Sequence, residues 1–252
     1  MEIDSARFEG QVVIITGAAS GIGAASARLV HRRGGKVYAL DVSRAGLELL
    51  KDELGLDASH IGEIDLSNEV QLHSTIGGII QSTGRVDALI NSAGIVGPTN
   101  VPLENVTTSA LQRVLDVNLF GAVWLTQSVL PIMKSQKYGR IVHVASIAGK
   151  EGNPGMTPYV ISKSGLIGFS KAIGKEVAPH GITVNAIAPA VIRTPMNSDT
   201  SEETLKYMIS RIPMGRVGEA EEVAETVTFA ASRACSFTTG FTFDASGGRA
   251  TY

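Results

Sequence analysis

Tyr159 and Lys163 stand four residues apart in the run Tyr-Val-Ile-Ser-Lys, thirteen residues after Ser146. On an α-helix, residues four apart share a face. A phenol and an ammonium therefore project to one side, where a hydroxyl from an earlier strand end can join them. A free tyrosine titrates near ~10 and moves protons poorly at neutral pH. A fixed positive charge beside it favours the phenolate and draws that value toward neutrality. The trio can then take a proton from an alcohol or give one to a carbonyl. Taken alone, the pair is better read as an ordinary Tyr and Lys on a helix surface.

A second constellation lies near the start of the chain. A β-rich run leads into Thr16-Gly17-Ala18-Ala19-Ser20-Gly21-Ile22-Gly23 and then a helical pattern. Glycines there let backbone approach a phosphate closely, and a helix N-terminus offers free N–H groups and the positive end of its dipole. The spacing is G-x-x-x-G-x-G, not the common G-x-G-x-x-G, and a tight turn alone would also explain it. Asp41 ends the next β-rich run. A carboxylate there can accept both hydroxyls of an adenosine ribose and repels a 2′-phosphate. Neither Ser20 nor Val42 supplies a cation for that phosphate, so NAD is favoured over NADP. Asp41 also reads as an N-cap for the helix that follows.

These residues need a frame that brings them together. Strand-like runs at 11–16, 36–41, 60–64, 87–91, 140–145, 183–188 and 241–244 alternate with helix-like segments at 21–33, 44–54, 69–82, 108–134, 159–177 and 220–231. The strands are rich in Val, Ile and Ala and mostly do not alternate, as expected when both faces of a parallel sheet are covered. The alternation predicts βαβ units in a doubly wound α/β sheet. No linker or repeat divides the 252 residues, so one domain spanning 1–252 is expected. Two stretches break the rhythm. Residues 95–105 are rich in Pro, Gly and Asn, and 190–218 carry prolines around a short amphipathic piece at 202–212. Both follow strand ends, where open parallel sheets bind ligands, and the second reads as a lid.

The bulk composition excludes other classes. A formal net charge of −2 without any block of like charge argues against a nucleic-acid partner. The longest apolar runs, 12–15 and 186–192, are of strand length, so no membrane span is expected. The start lacks a signal pattern, and a lone cysteine, Cys235, excludes an intrachain disulfide. A cytoplasmic location is the default expectation.

Taken together, Gly17-x-x-x-Gly21-x-Gly23, Asn91-Ser92-Ala93-Gly94, Asn118, Ser146 and Tyr159-x-x-x-Lys163 resemble the short-chain dehydrogenase/reductase family over about residues 8–248. The resemblance implies a Rossmann-type sheet of about seven strands and a catalytic set of Asn118, Ser146, Tyr159 and Lys163. Tyr159 would be the acid/base, and Lys163 would depress its pKa and hold the nicotinamide ribose. Ser146 would hold the substrate oxygen, and Asn118 would anchor a water in a proton relay. Gly17, Ser20, Gly21, Ile22 and Gly23 would cradle the pyrophosphate and Asp41 the ribose. Asp65 and Leu66 would meet the adenine. Asn91, Ala93 and Gly94 would wall the cofactor, with Ile192 and Thr194 at the carboxamide. Asn118 sits in a helix interior that disfavours it, which supports a task for it. Asp65 reads equally as an N-cap, and Asn91 as a structural tie. One departure is Pro189-Ala190, where the family usually has Pro-Gly. Alanine does not enter left-handed conformations cheaply, so that turn must keep an ordinary φ.

Polar candidates around the substrate are Lys150, Glu151, Asn153, Arg193 and Asn197. Low aromatic content, 5%, argues against a greasy steroid slot. Lys150 and Arg193 could pair with a substrate carboxylate, or could be solvated loop charges. The expected reaction interconverts a secondary alcohol and a ketone with NAD on a small hydroxylated molecule, a sugar or keto-deoxy sugar acid. A 3-oxoacyl-thioester reductase is the rival enzyme reading, and a non-catalytic nucleotide-sensing member the rival from another class. Excess apolar surface on the 108–134 and 159–177 helices predicts a dimer or tetramer, and the tail at 247–252 is a candidate to reach a neighbouring subunit.

Overall fold

The computed structural model describes residues 7–197 and 200–252. Seven parallel strands form one sheet: β1 (Val12–Thr16), β2 (Lys36–Asp41), β3 (Ile61–Glu63), β4 (Ala88–Asn91), β5 (Gly139–Val144), β6 (Ile182–Pro189) and β9 (Thr242–Ala245), in the order β3-β2-β1-β4-β5-β6-β9. Chain direction across the sheet reverses between β1 and β4. The crevice at such a switch point is where doubly wound sheets take a ligand.

Successive residues of each strand face opposite cores. On β1, Val13 and Ile15 enter one apolar cluster with α1 (Gly21–Arg32), α2 (Arg44–Leu54) and α9 (Ala220–Ala230). Val12 and Ile14 enter the other, with α3 (Glu69–Thr83) and α5 (Gly121–Gln136). Continuous apolar strands are the consequence of two covered faces. Helix ends follow the local chemistry: Ser43, Asn68 and Thr107 each accept a first-turn N–H to start α2, α3 and α4 (Thr108–Leu115).

Three details differ from the sequence expectation. The segment expected as one helix over 108–134 is α4 and α5 joined by a π-helical turn, Asp116–Phe120. The helix expected over 159–177, α7 (Thr157–Val177), begins two residues early because Pro158 fits the first turn, where its missing N–H is no loss. A four-residue helix, α6 (Ala148–Glu151), and a small parallel pair, β7 (Ile192–Arg193) with β8 (Gly218–Glu219), were not anticipated. The amphipathic piece of the expected lid is α8 (Glu202–Ser210). Ala190 keeps a φ outside the left-handed region, since Asn100 and Lys137 are the described non-glycine residues found there.

The run Thr108–Gln136 is long and apolar enough to cross a membrane by composition. Leu125, Val129 and Met133 of that run are fully buried against the sheet and α3, which accounts for the composition by packing within the fold.

Candidate active site

A cleft of about 1440 Å³ runs over the carboxyl ends of β1, β2, β4, β5 and β6. Its floor on one side is the glycine loop. Gly17 has φ +67°, and a Cβ on Gly23 would stand 2.0 Å from the Gly17 carbonyl oxygen, so neither position accepts a side chain. Ser20 is the N-cap of α1 in an extended conformation and its hydroxyl caps nothing. No acidic residue stands in that first turn. The end of α1, with Gly21 and Ile22 on the cleft wall, is left ready for an anion.

Asp41 is held by the same loop. One carboxylate oxygen accepts the Ala19 N–H at 3.1 Å and the other accepts the Ser43 N–H at 2.9 Å. The cap of α2 is Ser43, so Asp41 is not the N-cap. Asp65 behaves alike: it accepts the N–H and hydroxyl of Ser67 at 2.9 and 2.8 Å and pairs with Arg113 at 3.3 Å, while Asn68 caps α3. Burial pushes the Asp65 carboxyl up, but Ser67 and Arg113 outweigh it and hold it below the usual range. Leu66, Ala93, Ile192 and Thr194 complete this wall.

Asn91 lies on β4, buried beneath the cleft. It accepts the Thr16 hydroxyl at 2.7 Å and meets His143 Nδ1 at 3.4 Å. These bonds tie β1, β4 and β5 together, which is the structural reading of Asn91, and the amide is not on the cleft wall. His143 is wholly buried, with Thr126 at 3.4 Å on its other nitrogen. Burial, aided by the Lys163 charge, brings its pKa down to about 3, so it is neutral.

At the centre, β5 ends at Val144 and delivers Ser146, while α7 delivers Tyr159 and Lys163. The Ser146 hydroxyl oxygen accepts the Ala148 N–H at 3.1 Å, which leaves its proton free, and the hydroxyl acts on the Tyr159 phenol by lowering its pKa. Lys163 is buried and donates to the Val144 carbonyl at 2.7 Å. Its ammonium stands 5.7 Å from the Tyr159 ring centroid. The expected depression of Tyr159 is corrected here. Burial pushes the phenol above its ordinary value, and the Ser146 hydroxyl only opposes this. The ammonium is directed at a carbonyl rather than the phenol oxygen, and burial lowers its own pKa to about 8. Burial thus favours the phenol form of Tyr159.

Asn118 sits in the π-turn, a geometry common at functional sites. Its amide bonds both backbone groups of Ile95, each at 2.8 Å, and donates to the Ser162 hydroxyl at 3.0 Å. The side chain thus clamps the loop after β4 to α7. A Cβ on Gly94 would stand 3.1 Å from the Asn118 oxygen and 3.3 Å from Lys163 Nζ, so glycine there lets the loop lie against both.

The substrate end departs most from expectation. Lys150 pairs with Asp244 at 2.8 Å, is almost fully covered, and does not line the cleft. Arg193 is 70% exposed, pairs with Glu219 at 3.1 Å and also lies off the cleft wall. Asn153 does line it. The side chain of Asn197 lies outside the described residues. The cation built into this end is Arg249, which donates through Nε and Nη2 to Glu151 at 2.9 and 2.8 Å. Tyr252 donates to the Lys150 carbonyl at 2.8 Å, so the tail folds over its own chain. The nearest sequence signal was Gly247-Gly248, a turn that can send the tail back, but nothing local pairs 249 with 151. Met156 and the Tyr207, Met208 and Arg211 of the lid also line this end.

A phosphate cradle, a ribose-suited carboxylate and a Ser-Tyr-Lys set in one cleft define a dinucleotide-dependent oxidoreductase of the Rossmann type. A family model described as enoyl-(acyl carrier protein) reductase matches residues 17–250. The chain is 42% identical over all 252 residues, and the full length of both chains, to a 2-dehydro-3-deoxy-L-rhamnonate dehydrogenase (NAD(+)) of Sphingomonas sp. (strain SKA58). It is 40% identical over 248 residues to the 3-oxoacyl-(acyl-carrier-protein) reductase FabG of Thermotoga maritima, covering 96% of this chain and 98% of that one. Among solved structures, levodione reductase superposes with a TM-score of 0.90 at 33% identity, covering 98% of this chain and 100% of that one. The chain belongs to the short-chain dehydrogenase/reductase family.

Proposed function

We propose that the protein interconverts a secondary alcohol and a ketone with NAD on a small polar substrate, a keto-deoxy sugar acid or related sugar. The carrying observation is the Ser146–Tyr159–Lys163 set in the same cleft as Asp41. NAD, when bound, supplies the hydride acceptor and a positive charge near the phenol. The chain's own residues do the rest. Gly17 to Gly23 and the α1 N-terminus bind phosphate, and Asp41 accepts ribose hydroxyls. Ser146 donates to the substrate oxygen, and Tyr159 carries its proton. Lys163 reaches the second ribose, and the Asn118 clamp fixes the loop that walls it. Thr194 would take the carboxamide. The full-length likeness to a keto-deoxy sugar acid dehydrogenase supports the substrate class. Formation of NADH from a panel of sugars, sugar acids and simple secondary alcohols tests the reading, and no turnover with any of them sinks it.

The likeness to the Thermotoga reductase favours a second reading, a 3-oxoacyl-thioester reductase. Asp41 opposes the 2′-phosphate of NADPH, and an acetoacetyl-thioester assayed with NADH against NADPH separates the two. We also infer self-association: Phe120 is half exposed beside Trp124, and Ile161 on α7 is exposed. A stable monomer by light scattering would refute it. A cytoplasmic location is consistent with the buried free Cys235, whose thiol burial pushes up; fractionation checks it.

A further inference from the structure

The guanidinium of Arg249 has two edges able to bind a carboxylate with two parallel N–H bonds. Its Nε–Nη2 edge is occupied by one oxygen of Glu151, and Nη2 also reaches Asn153 at 3.5 Å. Nη1 has no partner among the described residues. The side chain is only 10% exposed, and its partner Glu151 18%. Both residues and Asn153 line the same cleft as Ser146 and Tyr159. Glu151 ends the short helix that starts two residues after Ser146, so the pair sits one helix away from the reacting oxygen. A solvated surface pair would not be enclosed in this way.

We propose that Arg249 selects the substrate by binding its carboxylate through the Nη1–Nη2 edge, where the substrate replaces the long 3.5 Å contact to Asn153, with Glu151 holding the other edge. This rests on the sugar-acid reading above. Fixing the fork beforehand removes the ordering cost that a free arginine would bring to each binding event. Arg211, exposed at the end of α8 and without a side-chain partner among the described residues, adds a second cation to the same cleft. Glu151 is a positioning residue with a price in charge: its carboxylate repels the carboxylate that Arg249 attracts.

That opposition gives a test with signs. KM and kcat are measured for 2-dehydro-3-deoxy-L-rhamnonate and for its methyl ester, together with NAD affinity. Arg249→Gln is expected to raise the KM for the acid about 10- to 100-fold and to leave the ester and NAD within about twofold. Arg249→Lys, which keeps charge but loses the fork, falls between. Glu151→Gln retains an acceptor for Arg249 and removes the repulsion, so the acid KM does not rise. An unchanged acid-to-ester ratio in Arg249→Gln overturns the proposal while leaving the sugar-acid reading intact. So does a parallel rise for acid and ester in both Arg249→Gln and Glu151→Gln, the outcome of a merely structural latch. A wild-type enzyme inactive on every sugar acid removes the reading and this proposal with it.

Discussion

The two ends of the cleft are built differently. At the cofactor end, the phosphate loop is one stretch of chain, 17–23, and Asp41 and Asp65 each accept an N–H from two residues on, Ser43 and Ser67, with Ala19 and Arg113 added from 22 and 48 residues away. At the substrate end, the polar groups come from far apart: Glu151 is bonded to Arg249 and Lys150 to Asp244. A site made of short-range contacts repeats as a sequence motif, because its spacing is its geometry. A site made of long-range contacts has no spacing to conserve and can be rebuilt by changing one loop or tail.

The sharpest way to break this comparison lies between the two ends. Tyr159→Phe removes the proton carrier without touching either wall. Its kcat is expected to fall about 10²- to 10⁴-fold with NAD affinity unchanged, as read by NADH fluorescence and steady-state rates. A large loss of NAD affinity instead would make the phenol part of the cofactor wall.

His143 tests how much the seam beneath the cofactor end stabilises the fold. Its folded value, about 3, lies below the ordinary 6.5, so the unfolded chain binds the extra proton. Stability is therefore fully present above about pH 6.5 and is lost as pH falls toward 3, by up to about 5 kcal/mol at the acid end. His143→Gln should flatten that acid limb, measured as the urea midpoint against pH. An equally steep limb in the variant would assign the loss to other groups.

Gly23→Ala strikes the cofactor end alone. A Cβ at 2.0 Å from a backbone oxygen must displace the loop, at about 1–3 kcal/mol, and NAD affinity should fall before the fold does. Titration of NAD beside a thermal melt separates the two effects.

The smallest expected effect is at Arg193. Its pair with Glu219 is exposed, and such pairs contribute about 0–1 kcal/mol. Arg193→Ala should leave the KM for every acidic substrate within about twofold, and a clear rise would return Arg193 to the site.

The same contrast explains what could be read in the chain before folding. The sheet was legible because buried parallel strands are apolar throughout, and the glycine loop and Tyr-Lys pair because their geometry is local. The π-turn was not, since a hydrophobic period counts faces and cannot see one added residue; Asn118 in a helix interior was the nearest hint. The partners of Lys150 and Arg193 were not legible because charge type says nothing of which acid a side chain will find. Asp244 and Glu219 lie 94 and 26 residues away from them. The upward push on Tyr159 is likewise not local, since it comes from the surroundings of the phenol and not from the Lys163 spacing.

The π-turn at Asp116–Phe120 has a mechanical consequence. A wide turn takes up one extra residue, and one residue is about 100° of rotation around an α-helix. It sets the helix before it and the helix after it out of phase, so that α4 packs against α7 while α5 packs against α3. One continuous rod thereby grips two different neighbours. Removing a single residue from this turn would restore an even pitch and swing one of those faces off its partner, like a key cut one notch short.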